Sequence, residues 1–268
     1  MKKQFLNLIK RIGVLFDINI QASRFTNNKE LKMFLQSLYP IKVDKQLIRV
    51  GSKADGGYVV PDDLENIDAL FSPGVGSKQD FDLECANKGM KVFMADASVE
   101  GPVVSHSNFV FTKKFIGALD SQQYMSMEKW IKNSNLKEHS DLMLQMDIEG
   151  YEYETIYSIP KDMMQRFRII LIEFHELNFL LNKSMFEKFK NSFLKILETH
   201  YVVHIHPNNC CEPIKFNDIS IPPVLEFTFI RKDRVKAKGF VTEFPNSLDS
   251  DCTENKSLVL PECWYKKQ

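Results

Sequence analysis

The sequence predicts an α/β protein built on a seven-stranded, mostly parallel, Rossmann-like sheet with helices on both faces. Seven short apolar runs of strand length, centred on Ala69, Phe93, Val110, Leu144, Ile170, Val203 and Phe227, are the first observation. Segments of helical period separate most of them, and strands alternating with helices imply parallel pairing and a sheet covered on both sides. The last two runs are joined instead by a loop rich in Pro, Asn and Cys. The final strand is therefore expected to be antiparallel.

Residues 1–45 read as an N-terminal helical extension of two segments, ahead of a main domain over 46–268. In the first segment Lys2, Lys3, Lys10 and Arg11 surround Phe5, Leu6, Leu8 and Ile9. It lacks the unbroken apolar core and small-residue cleavage site of a signal peptide. Such a basic amphipathic helix can lie on a membrane surface, but covering the domain or a partner subunit is the preferred reading, which makes a homodimer reasonable. The second segment starts near Asn28. Leu47–Val50 and Tyr58–Pro61 then form a small hairpin around the polar Gly51–Gly57 connection. Among the later helices Ser77, Ser126 and Ser184 are expected caps, with Asp80 and Glu187 three residues after the first and last. The polar tail from Pro245 closes with Leu258–Pro261 and Trp264-Tyr265, which should dock on the body.

The 268 residues suit one large domain with short additions. Basic and acidic residues number 35 each and are interspersed, so no nucleic-acid footprint is indicated. No stretch reaches the length of a membrane span. Five cysteines without a C-x-x-C pair fit reduced thiols in a cytoplasmic protein better than a disulfide framework or a zinc site.

The first strand ends in Ser72-Pro73-Gly74-Val75-Gly76, where a glycine turn brings bare backbone and helix N-terminal amides towards a ligand. Asp96, followed by Ala97 and Ser98, ends the second strand 20 positions after Gly76, where a carboxylate meets ribose hydroxyls. These features point to an adenosine-containing cofactor. A dinucleotide fold wants a third glycine, and Gln79 stands there. S-adenosylmethionine (SAM) has no pyrophosphate and does not need it. Between the hairpin strands, Lys53, Asp55, Gly56 and Gly57 are either a flexible turn or a lid whose backbone and charges hold the cofactor's amino-acid end.

Ligands in such a sheet sit at the carboxyl ends of the strands. There the sequence places Asp147-Ile148-Glu149-Gly150-Tyr151-Glu152 after the fourth run, Glu173-Phe174-His175 after the fifth and His204-Ile205-His206 after the sixth. Alternation puts Asp147 and Glu149 on one side, and His204 and His206 on one face. Glu152 and Glu154 read as complements to the dipole of the next helix. Three histidines beside Asp147 and Glu173 at neighbouring strand ends indicate a proton-handling or metal site.

Taken together, Arg49–Tyr58, Phe71–Ser77, Asp147–Glu152 and Ile172-Glu173 resemble the FkbM family of SAM-dependent methyltransferases, over about residues 47–265. His204–Asn209 and Leu225-Glu226 resemble a sugar-cluster branch of it. The family usually has an acidic residue and Asn-x-Gly where this chain has Ser72–Gly76. The resemblance implies a class I methyltransferase fold and O-methylation of a sugar hydroxyl in bacterial surface-polysaccharide (capsule or O-antigen) or natural-product biosynthesis. In that setting His175 or His206 serves as base and Asp147 orients the acceptor or the base. Asp96 holds the ribose, and Asp55 with the Gly56–Gly57 backbone holds the methionine end. An alternative places Mg²⁺ or Mn²⁺ on Asp147, Glu173 and a histidine. Two rival classes are a catalytically silent interaction subunit with this fold and an NAD(P)-dependent oxidoreductase, which Gln79 opposes.

Overall fold

The computed structural model describes Ile12 and residues 23–267, so the expected first helix lies outside the described residues. Asn27 starts helix α1 (Asn28–Ser37) by accepting the amides of Lys29 and Glu30 at 3.0 and 3.2 Å. This occupies donors that a helix start leaves free. Strands β1 (Ile41–Val43), β2 (Leu47–Gly51) and β3 (Gly57–Pro61) follow, with β2 and β3 as the expected hairpin.

The alternating part contains β4 (Ala69–Pro73), α2 (Asp80–Asn87), β5 (Lys91–Ala95), β6 (Phe109–Thr112), the short pair β7 (Phe115–Gly117) and β8 (Tyr124–Ser126), and α3 (Met127–Asn133). It continues through β9 (Leu142–Met146), α4 (Glu152–Ser158), α5 (Lys161–Met164), β10 (Phe167–Phe174), α6 (Lys183–Leu197) and β11 (His200–Pro207). A hairpin of β12 (Ile214–Phe216) and β13 (Ile219–Ile221) leads to β14 (Leu225–Arg231), and β15 (Ala237–Phe240) pairs with β1. The seven runs anticipated from sequence are the seven strands of the central sheet, ordered β11-β14-β10-β9-β4-β5-β6. β14 runs antiparallel to both its neighbours, and β10 through β6 are parallel. This is a Rossmann-like α/β fold.

Side chains alternate between two apolar clusters, one on each face. Phe71, Leu144, Ile170, Ile172 and Phe227 meet α1, α3, α4 and α6 on one side. Leu70, Met143, Ile169, Leu171 and Ile230 meet α2 and the β2–β3 hairpin on the other. Each fully buried large side chain contributes roughly 1.5–3 kcal/mol, so both faces are strongly held. Phe34 of α1 packs edge-on against Phe186 and Phe193 of α6, with ring centroids 5.6 and 5.7 Å apart. The tail docks as expected: Trp264 is fully buried and its indole N–H donates to Ser220 O at 3.0 Å.

Of the three expected caps only Ser126 acts as one, accepting Lys129 N at 3.3 Å. α6 is capped by Asn182, which accepts the Ser184 amide and hydroxyl at 3.0 and 2.6 Å. α2 begins only at Asp80, so the Ser77–Asp80 capping box does not form. Gln79 precedes the helix and bonds away from it. Its Nε2 donates to Gly76 O at 3.0 Å while its Oε1 accepts Val103 N at 3.1 Å, tying the glycine turn to the loop between β5 and β6.

No helix among the described residues is long and apolar enough to cross a membrane. All five cysteines are free thiols.

Candidate active site

Strand order reverses between β4 and β9, and a crevice opens there at their carboxyl ends. Gly74, at φ +89°, makes the approach possible: a Cβ on it would lie 1.6 Å from the Asp147 carbonyl oxygen. Its amide donates to Ala95 O at 3.1 Å, and Asp147 N donates to Pro73 O at 3.3 Å, locking three strand ends together. Asp96 faces the turn as the spacing anticipates, with both oxygens engaged. Oδ2 accepts Val75 N at 2.9 Å, and Oδ1 accepts the Ser98 amide and hydroxyl, each at 2.6 Å.

Two cavities adjoin at Gly74 and Asp147. One, of about 300 Å³, runs between Asp96 and Ser98 and an apolar wall of Ile116, Tyr124, Ile148 and Tyr151. The other, of about 180 Å³, is polar and is lined by Asp55, Gly56, Tyr58, Lys78, Asp82 and Gln145, with Gly76 at its edge. A larger groove of about 580 Å³ beside β1 and β15 touches neither the glycine turn nor the strand-end carboxylates.

Five of the cofactor-site candidates line none of these spaces, nor do His175 and His206. Ser72 is buried and donates to Gln145 Oε1 at 2.8 Å. Pro73 is packed within β4, Ala97 lies behind the Asp96–Ser98 bonds, and Gly57 is a close-approach position. A Cβ on Gly57 would meet Ser52 O at 2.0 Å, so it tightens the hairpin. Lys53 points outward, and its carbonyl accepts the Ser250 hydroxyl at 2.7 Å. Arg49 pins this turn by donating to Ser52 O and Ala54 O, both at 2.7 Å.

On the other side of Asp147 stands His175. Its Nδ1 lies 3.1 Å from Glu152 Oε1, and Glu152 is fully buried with Oε1 accepting the amides of Ile148 and Gly150 at 3.1 Å. Glu152 is thus the partner that fixes the imidazole, beyond the dipole role assigned to it from sequence. His175 Nε2 then faces Glu149 and Glu173 at 3.5 Å and Asp147 at 3.8 Å. Glu149 reaches it through a left-handed turn (φ +55°) rather than by strand alternation. Asp147 Oδ1 is buried and accepts no hydrogen bond. Burial works against charge on His175, but Glu152, Asp147 and Glu173 outweigh it and raise its pKa to about 9. Burial lifts Asp147 to about 7, with His175 pulling the other way. Glu173 rises to about 9 through burial and the neighbouring Asp147 and Glu226. Asp147, Glu149 and His175 each offer a donor atom within 4.8 Å of the others, a group that could hold a cation.

The three histidine- and carboxylate-bearing strands are not all neighbours, because β14 lies between β10 and β11. Glu226 of β14 stands opposite both Glu173 and His206 in register, a member of the row that strand counting missed. His206 is separated from the cavities and closed over by the tail. Its Nδ1 is 3.6 Å from Asp249, whose other oxygen is 2.8 Å from His204 Nε2. Burial opposes charge on His206, yet Asp249 and Glu226 hold its pKa above the ordinary value. His206 thus faces the tail, whereas His175 faces Asp147 beside the crevice.

Asp82 was missed too. Its signal was a carboxylate on the buried face of α2 beside Phe81, Cys85 and Ala86, where an amphipathic helix should be apolar. Neither protein-family models nor curated proteins match this chain.

Proposed function

We propose that this chain is a SAM-dependent O-methyltransferase acting on a sugar hydroxyl, in the cytoplasmic assembly of a bacterial surface polysaccharide or a natural product. The observation that carries the reading is the pair of cavities meeting at the Gly74 turn, one apolar and aromatic, the other charged. SAM is likewise divided between a flat adenosine and a zwitterionic amino-acid end, and the residues present fit it. Asp96 and Ser98 would face the ribose, and the buried Asp82 Oδ1, which has no hydrogen-bond partner, is a ready acceptor in the polar lobe. Gln79, bonded to Gly76 and Val103, stands where a dinucleotide fold has its third glycine. The resemblance of the Asp147–Glu152 and Arg49–Tyr58 segments to the FkbM family points the same way.

When bound, SAM supplies a methyl group already activated on its sulfonium. The protein's part is to hold an acceptor oxygen in line, which can supply roughly 7–11 kcal/mol, and to take its proton, worth roughly 10²–10⁴-fold. Asp147, at the junction of both cavities, orients the acceptor. His175, fixed by Glu152, accepts the proton at Nε2. With its pKa at about 9 it is protonated at neutral pH in the ligand-free protein. Asp147 and Glu149 would hold a cationic ligand, and pairing with it would weaken their hold on the His175 proton and lower that value.

Calorimetric titration with S-adenosylhomocysteine and NADH tests the reading, followed by transfer of labelled methyl to a panel of sugar acceptors. Binding of the homocysteine compound alone supports it. NADH binding alone favours the oxidoreductase, and binding of neither favours a silent interaction subunit. The cation group of Asp147, Glu149 and His175 carries a second reading. There a Mg²⁺ or Mn²⁺ ion would polarise the acceptor hydroxyl, and His175 would be a ligand instead of a base. Activity lost in EDTA and restored by either ion selects that version.

A further inference from the structure

Cys210 and Cys211 stand side by side in the loop between β11 and β12, both exposed, and the Cys210 thiol donates to Cys211 Sγ at 3.0 Å. The other three thiols are placed differently. Cys85 and Cys263 are buried, and Cys252 donates to Glu226 Oε1 at 3.4 Å. The loop carrying the pair is held from both sides. Asn209 is 4 % exposed, and its side chain donates to the carbonyls of Thr253 and Asn255 at 3.1 and 2.9 Å. Asn208 accepts the Cys210 amide at 2.9 Å and donates to Glu173 Oε1 at 3.1 Å, so the same loop steadies a carboxylate of the crevice. Between loop and tail lies a cavity of about 430 Å³, lined by both thiols together with Glu212, Lys256 and Ser257. That volume is in the usual range for a small-molecule site.

We infer that Cys210 and Cys211 form a reversible redox-modification site, oxidised to a vicinal disulfide by a low-molecular-weight disulfide of the glutathione class. Glu212 and Lys256, both exposed at the cavity, match the ammonium and carboxylate groups of such a peptide. In the first step the Cys211 thiolate attacks one sulfur of the oxidant. A mixed disulfide forms as the oxidant's own S–S bond breaks, and one peptide leaves as its thiolate. Cys210 then attacks Cys211 Sγ, closing the ring and expelling the second peptide. The two cysteines give up two electrons and two protons, which the two departing peptide thiols carry away. The order of attack follows from the hydrogen bond, in which Cys210 is the donor and Cys211 the acceptor. Partial burial, then the bond to Cys211 and its charge, and lastly Glu173 push the Cys210 pKa up to about 12, so Cys210 keeps its proton at first. Capping Cys211 removes both of its contributions and frees Cys210 to attack. Adjacent Cα atoms lie about 3.8 Å apart, short of the roughly 4.4–6.8 Å that an ordinary disulfide spans, so the closed ring is strained and readily reduced.

The experiment incubates the reduced full-length protein with oxidised glutathione under argon. Remaining thiols are then alkylated in denaturant, and intact masses and peptide maps are recorded. Wild type should fall from five alkylated thiols to three, lose the mass of two hydrogen atoms and retain no glutathione. Reduced glutathione should restore all five thiols. Cys210→Ser should stop after the first step, holding one glutathione on Cys211, and Cys211→Ser should close no ring. Thermal melts check that both variants fold, and the wild-type result decides alone should either fail to. Five thiols retained in wild type, a glutathione adduct that persists there, or a disulfide that includes Cys252 or links two chains overturns the proposal. None of these readouts depends on the cofactor reading above.

Discussion

Gly74 has no room for even a methyl group, since a side chain there would run into the Asp147 carbonyl. Its left-handed backbone adds a penalty of roughly 1–2 kcal/mol for any L-residue. Gly74→Ala should therefore melt several degrees below wild type and lose S-adenosylhomocysteine binding, read by a thermal melt and a titration. Asp147 Oδ1 is buried and accepts no hydrogen bond, so Asp147→Asn removes a charge without breaking a bond at that oxygen. Asp147→Asn should cut methyl transfer by about 10² or more while leaving cofactor affinity within a few-fold. Unchanged turnover would remove Asp147 from the mechanism.

At the level of elements, the insertion of β14 decides which strand ends can cooperate. It places Glu226 between Glu173 and His206 and leaves His206 to the tail, where Asp249 bridges it to His204. Burial opposes charge on Asp249, but the two histidines outweigh it and hold its carboxyl well below the usual range. Asp249→Ala removes one partner of a buried pair, a change that costs about 3 kcal/mol or more. Urea unfolding should record that loss, and limited proteolysis should cut faster within residues 241–257. Cofactor affinity should hold, because Asp249 lines neither cavity. A large drop in affinity would instead tie the tail to ligand binding.

Over the whole molecule the formal net charge is zero, yet carboxylates gather at one crevice. Burying them opposes folding, as expected where a fold gives up stability for a binding site. Asp82 is a direct measure. Its pKa is raised to about 6, against an ordinary 3.8, so the folded state holds its proton more tightly than the unfolded chain. Below the ordinary value both states are protonated and Asp82→Asn should change nothing. As pH rises through about 6 wild type comes to bear the full penalty of the buried charge. Asp82→Asn should then be more stable by up to about 3 kcal/mol at pH 7.5 and by nothing near pH 3.5, read from denaturation midpoints. Equal gains at both pH values would show that the carboxyl's charge is not the source.

Local sequence carried a good deal of this protein. Apolar runs of strand length located all seven sheet strands, because a strand buried on both faces must be apolar along its length. The Gly74–Gly76 turn was legible because bare backbone in a strand–helix turn leaves few other choices. Spacing also brought Asp96 to that turn. Tertiary structure decided the remainder. Which strand lies beside which is set by packing between residues distant in sequence, so periodicity gave no notice that β14 would part Glu173 from His206. For the same reason Glu152 became the anchor of His175, α2 began too late for Ser77 to cap it, and Asp82 came to face the polar cavity beside Lys78. Local pattern fixes which face a side chain takes, and only the folded chain determines what it meets there.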